Sequence, residues 1–190
     1  MKELEERIVK DGKLFGTDIL KVGSFLNQQI DIKLLKNMAL ETIKLFPKDL
    51  NITKVLTIEA SGIAFATAIA LELNVPVVFA KKSKTSNVSG EVVTAEVYSF
   101  THNVMNQIIV PKEYIEESDR ILIADDFLAK GNALQGLIEL VEKCNASVVG
   151  CVVQIEKEYQ DGGNDLRGKG YRVESLARIK EIKDGKIMFC

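Results

Sequence analysis

The sequence predicts an α/β fold: a central, mostly parallel sheet flanked by helices, with a small hood made of amino- and carboxyl-terminal segments. Three observations lead there. Apolar runs of strand length alternate with longer stretches of helical spacing. Two of these runs pass through a short loop of small residues straight into a helical pattern, as the units of a parallel sheet do. No repeat, low-complexity tract or linker divides the 190 residues. The expectation is one domain, 1–190, with hood pieces at about 1–35 and 157–190 and a flexible loop at about 81–92.

Composition bounds the answer. With 46% hydrophobic and 27% charged residues, the chain has enough apolar material for one good core. A net charge of −2 gives no general attraction to nucleic acid or to an anionic membrane, so neither partner is expected. Apolar runs fall far short of a membrane span, and the charged start MKELEERIVKDGKLFG has no secretory apolar core. Cys144, Cys151 and Cys190 show no CxxC spacing, which suits free thiols in a reducing cytoplasm. His102, the single histidine, has no metal-site companions and reads as a loop or strand-edge residue.

The elements follow in order. Leu4 and Ile8 sit at helical spacing among charges, giving a surface helix over 3–11. Residues 19–30 are mixed, a short strand and then a turn. There Asn27 is either a turn-capping amide, which position favours, or a base-recognising amide in an apolar pocket. Asp31 is placed to cap a helix that carries Leu34, Leu35, Met38, Ile43 and Leu45 and ends near Pro47.

Residues 54–58 form a strand, Glu59-Ala60-Ser61-Gly62 a small loop, and 63–73 a buried helix. That loop is either a plain strand-to-helix turn or a set of backbone N–H groups facing an anion. Residues 75–80 make the next strand. The polar run from Lys81 and Lys82 onward has no apolar anchor, and its two readings are a solvated connection and a mobile lid of lysines. Residues 92–100 and 107–110 are expected to pair antiparallel across 101–106, with Tyr98 and Phe100 as core residues.

The segment 121–133, ILIADDFLAKGNA, organises the rest. Ile121 to Ala124 read as a strand buried on both faces, ending where Asp125 and Asp126 begin. Ala129-Lys130-Gly131-Asn132 form a short loop, and a helix opens at Ala133-Leu134. A helix amino end presents free N–H groups and a favourable dipole to an anion. Gly131 allows close backbone approach to a phosphate. The paired carboxylates can accept hydrogen bonds from vicinal hydroxyls or hold a hydrated cation. Phosphate and diol on one loop describe a ribose 5-phosphate. Beyond it lie a strand over 147–155 and Lys157 at the same sheet edge. A flexible excursion over 160–170 and a hairpin over 171–190 complete the chain.

This segment resembles the PRPP motif of type I phosphoribosyltransferases. LKVGSFLNQQID, VPVVFAKKSKT, VYSFT, DDFLAKGNA and GYRVESLARI together resemble the small bacterial xanthine phosphoribosyltransferases over nearly the whole chain. The resemblance implies the type I phosphoribosyltransferase fold. It also implies transfer of a phosphoribosyl group from PRPP to N9 of xanthine, giving xanthosine monophosphate (XMP) and pyrophosphate, with Mg²⁺ held mainly by PRPP rather than by protein ligands. It further implies that Asp125 and Asp126 take the ribose hydroxyls, Ala129, Lys130, Gly131, Asn132 and Ala133 the 5-phosphate, and Glu59, Ala60, Ser61 and Gly62 the pyrophosphate. Leu20, Asn27 and Lys157 would meet the base, with Phe127 flanking the purine ring. Lys81 and Lys82 would serve the departing pyrophosphate, and lysines of this region in related enzymes reach a neighbouring subunit, which implies a homodimer. One departure matters: Ala129 stands where many hypoxanthine-guanine enzymes carry an acid. The competing expectations are a guanine or hypoxanthine enzyme and a non-catalytic PRPP-sensing module, though the chain shows no helix-turn-helix pattern.

Overall fold

The structure is a computed structural model that describes residues 1–16, 19–82, 90–99 and 104–190. The part of the expected flexible loop over 83–89 and the expectations for Phe100 and His102 fall outside these residues.

Helix α1 (Lys2–Asp11) buries Leu4 and Ile8, the pair at i and i+4, and leaves its charges in solvent. A small hairpin follows, β1 (Lys13–Phe15) against β2 (Ile19–Lys21), and its first strand was not expected. The chain then makes a π turn over Gly23–Asn27 with Phe25 and Leu26 buried. Helix α2 (Ile32–Leu45) starts as its sequence predicts: Asp31 caps it by accepting from the Leu34 N–H at 3.1 Å. The Arg7 guanidinium binds the other oxygen of Asp31 at 2.7 Å and ties α1 to that cap.

Strand β3 (Lys54–Ile58), helix α3 (Gly62–Leu73) and strand β4 (Val77–Ala80) form the first β–α–β unit. Asn74 ends α3 in the left-handed region at φ 58°, where Asn is tolerated. Strands β5 (Val92–Ser99) and β6 (Val104–Pro111) pair antiparallel in a separate two-stranded sheet. β6 starts earlier than expected because the pairing extends out to Ser99 and Val104.

Strand β7 (Arg120–Leu128), helix α4 (Asn132–Lys143) and strand β8 (Ser147–Lys157) form the second unit. Helix α5 (Gly162–Gly168) and the hairpin β9 (Val173–Lys183) and β10 (Lys186–Phe189) complete the chain. The main sheet has the order β10-β9-β8-β7-β3-β4, parallel throughout except for the antiparallel edge strand β10. The 157–190 piece expected in the hood thus contributes two strands to this sheet. The 160–170 stretch is not the solvated excursion its glycines suggested: α5 buries Gly162, Gly163 and Leu166.

The sheet is covered on both faces, as a parallel sheet requires. On one side Leu4, Ile8, Met38, Phe65 and Ile69 pack with Leu122, Ala124 and Val152. On the other, Leu134, Leu137 and Val141 of α4 pack with Val97 and Ile108 of the hairpin and with Ile121 and Ile123. Gly136 sets that second contact: a Cβ there would lie 2.3 Å from Val97 Cγ2, so the Val97 side chain packs directly on the α4 backbone. Among the described residues no helix is long and apolar enough to cross a membrane.

Candidate active site

The acidic pair lies inside β7, not beyond its end. β7 leaves β3 after the Leu56–Ile123 pair but stays paired with β8 as far as Leu128–Glu156. β8 is long and apolar, so it supplies a partner where β3 no longer does. Asp125 and Asp126 therefore sit where β7 keeps a neighbour on one side only, and the open side faces a cavity of about 280 Å³.

That cavity gathers most of the sequence-predicted residues. Glu59, Ser61, Lys82, Asp125, Asp126, Phe127, Ala129, Lys130, Gly131, Asn132 and Ala133 line it. Gly131 takes φ 83°, a left-handed conformation that glycine adopts without strain, and turns the chain into α4. The first turn of α4, whose N–H groups have no partner earlier in the helix, lines the cavity. The Asn132 amide donates to the Tyr98 carbonyl at 2.9 Å and joins the loop to the β5 wall.

Each acid is held by backbone. Asp125 accepts from the Asp126 N–H at 2.9 Å, and Asp126 from the Phe127 N–H at 3.0 Å. The other Asp126 oxygen accepts from the Asn27 amide at 3.1 Å, so the π turn of the amino-terminal piece reaches over the pair. Asp125 is tucked beneath the start of α3. A Cβ on Gly62 would lie 2.9 Å from its Oδ1 and 2.1 Å from the Thr57 hydroxyl, so only glycine fits. Burial, and next the charge of Asp126, push the Asp125 carboxyl well above the usual range, against the opposing pull of the Asp126 N–H and Lys82.

Glu59 and Lys82 close the β3–α3 corner. The Lys82 N–H donates to Glu59 Oε1 at 2.6 Å, and the Glu59 N–H to the Ala80 carbonyl at 3.0 Å. The peptide joining Glu59 to Ala60 is cis.

Other predicted residues stand elsewhere. Lys81 is bridged through its backbone to Ile109 and lines a second cavity beside Phe79 and Tyr114. Leu20 is buried in the core, and Lys157 ends β8; neither lines the first cavity. Ala60 and Gly62 shape the corner from behind rather than from the lining. Sequence reasoning missed Tyr98, which lines the cavity rather than the core, together with Val97, Asn106, Ile108 and Leu128. A strand read by alternation alone does not tell an apolar core from a cavity wall.

The donor set fits Mg²⁺ brought with a phosphorylated substrate. Among the described residues no cluster of three metal-ligating side chains exists, while adjacent carboxylates face the cavity. Such a pair suits a cation that keeps water and substrate oxygens for its other positions.

An acidic pair on a parallel strand thus shares one cavity with a glycine turn at a helix start. Residues 21–173 match the family described as the phosphoribosyl transferase domain, and the chain belongs to that family. Over its full length it is similar to proteins named xanthine phosphoribosyltransferase. It is 47% identical to that of Oceanobacillus iheyensis, covering 97% of the relative. It is 49% identical to those of Bacillus cereus and Clostridium novyi, covering 95% and 99% of them. Its fold is similar to solved adenine phosphoribosyltransferases. The Trypanosoma brucei enzyme aligns with TM-score 0.78 at 19% identity, over 95% of this chain and 82% of that one. The Giardia lamblia enzyme aligns with TM-score 0.77 at 23% identity, over 92% and 97%.

Proposed function

We propose that the chain transfers the 5-phosphoribosyl group of PRPP to N9 of xanthine, giving XMP and pyrophosphate. The observation that carries this is one cavity uniting the Asp125–Asp126 pair with the glycine turn and first turn of α4. Full-length identity near one half to xanthine phosphoribosyltransferases supports the choice of base.

In this reading Asp125 and Asp126 accept the ribose hydroxyls and fix the sugar. The N–H groups of 129–133 hold the 5-phosphate. The Glu59–Gly62 corner and Lys82 lie where pyrophosphate leaves. Phe127 flanks the purine beneath the Asn27 amide, and Leu20 and Lys157, outside the cavity lining, are further candidate contacts of the base. The bond from C1′ to pyrophosphate oxygen breaks, the bond from C1′ to N9 forms, and the N9 proton passes to water. Ala129 offers no carboxylate for that proton. The protein's contribution is then positioning and charge stabilisation, with fixed dipoles aimed at the parting phosphates. Asp125 and Asp126 would face Mg²⁺ brought with PRPP, and the cation would neutralise charge on the pyrophosphate.

A homodimer belongs to the same reading: Lys81 lines a recess with Phe79 and Tyr114 rather than its own cavity, which supports a role toward a neighbouring copy. The three cysteines, all free, suit a reducing cytoplasm.

Purified protein incubated with Mg²⁺, PRPP and either xanthine, guanine, hypoxanthine or adenine tests this directly. XMP should form fastest. Preference for another base would move the assignment within the family, and no product with any base would leave a PRPP-binding module.

A further inference from the structure

We infer that Gly162 and Arg167 are positioning residues for the 129–133 loop: α5 sets the loop backbone from behind, and a buried ion pair sets α5. The inference rests on the reading of that loop as the grip on the 5-phosphate. Neither residue lines the cavity, so any effect on ligand passes through the loop.

Contact between α5 and the loop is backbone on backbone. The Gly162 N–H donates to the Ala129 carbonyl at 3.1 Å. A Cβ on Gly131 would lie 3.2 Å from the Gly162 carbonyl oxygen. A Cβ on Gly162 would lie 2.4 Å from both Ala129 O and Lys130 C, and 2.5 Å from Gly131 N. No side chain fits there unless the loop backbone moves.

Behind this contact stands a buried charge. Glu156 is fully buried at the end of β8. Arg167 grips both its oxygens, at 2.9 and 2.7 Å, and donates to the Val173 carbonyl at 3.2 Å. The Ser175 hydroxyl donates to the same carboxylate. Gly163 leaves room for the pair, since a Cβ there would meet Glu156 Oε1 at 1.9 Å. A planar fork of this kind fixes orientation as well as distance. One end of α5 is therefore pinned to the sheet while the other presses on the loop. Converging N–H groups work only when aimed at one point, so a shift of the loop costs ligand phosphate affinity specifically.

The test compares binding of XMP with binding of xanthosine, the same molecule without its phosphate, by titration calorimetry. The dissociation constant of xanthosine divided by that of XMP reads the phosphate grip. Gly162→Ala should lower that ratio about tenfold or more and leave xanthosine binding unchanged. Arg167→Lys keeps the charge without the fork and should lower the ratio by about threefold; it decides the matter if Gly162→Ala does not fold. A purely structural role would lower the melting temperature with the ratio intact, and that result overturns the inference. Wild-type protein that binds both ligands equally overturns the phosphate-loop reading itself, a result visible before any variant is made.

Discussion

The Asn27 amide donates to Asp126 Oδ2 at 3.1 Å across 99 positions of sequence. One hydrogen bond thus joins the amino-terminal π turn to the acid pair. Removing it leaves the carboxylate with its Phe127 N–H and with solvent, so Asn27→Ala should cost only about 1–2 kcal/mol of stability by thermal melting. If Asn27 contacts the base as proposed, steady-state kinetics should show a raised KM for it. An unchanged KM would remove Asn27 from that site.

Replacing both acids, Asp125→Asn and Asp126→Asn, should lower kcat by about 100-fold or more in the phosphoribosyl transfer assay, since preorganised acceptors for the ribose are lost. Circular dichroism should show an intact fold.

Asp125→Asn alone should stabilise the protein while lowering activity. Burial and Asp126 raise the folded Asp125 carboxyl above its usual 3.8. The stability it contributes is therefore fully present below about that pH and is lost as pH rises through the raised folded value. Melting curves across pH should place the variant above wild type at neutral pH, with the gap closing in acid. An active site held at the expense of stability is a familiar trade.

Glu156 has the opposite sign. Burial raises its carboxyl, but Arg167, Ser175 and Arg178 outweigh that and hold it below its usual 4.5. Its contribution is present above that value and is lost as pH falls through the folded one. Glu156→Gln leaves the guanidinium without its partner charge and should cost about 3 kcal/mol in urea unfolding at pH 7. An equal loss at pH 7 and at pH 3 would contradict the sign.

Thiol reactivity should separate the cysteines. Cys144 and Cys151 are buried, and burial pushes the Cys151 thiol up to about 12. Cys190 is exposed, though partial burial and Glu158 raise it as well. A chromogenic disulfide reagent at pH 8 should react slowly with Cys190, and with the other two only after unfolding.

What could be read in the residues was decided locally or by burial. The runs VLTI, ILIA and SVVGCVVQI announce strands because both sheet faces are covered, and Asp31 announces α2 because a cap acts on the next turn. The extension of β7 through Asp125 and Asp126 could not be read: acids disfavour strands, and here a nonlocal partner, β8, overrides that preference. α5 was hidden for a similar reason. Gly162, Gly163, Gly168 and Gly170 read as a loop, and the helix exists because the Glu156 carboxylate waits for Arg167. Leu20 and Lys157 fall outside the cavity lining because the burial of the one and the strand position of the other depend on how β2 and β9 are packed.

The close seat of Gly136 on Val97 has a mechanical meaning. With Asn132 also bonded to the Tyr98 carbonyl, α4 is tied to β5 at two points. On the proposed reading, a nucleotide would meet a braced wall on this side and, on the other, the Asn27 amide bonded to Asp126.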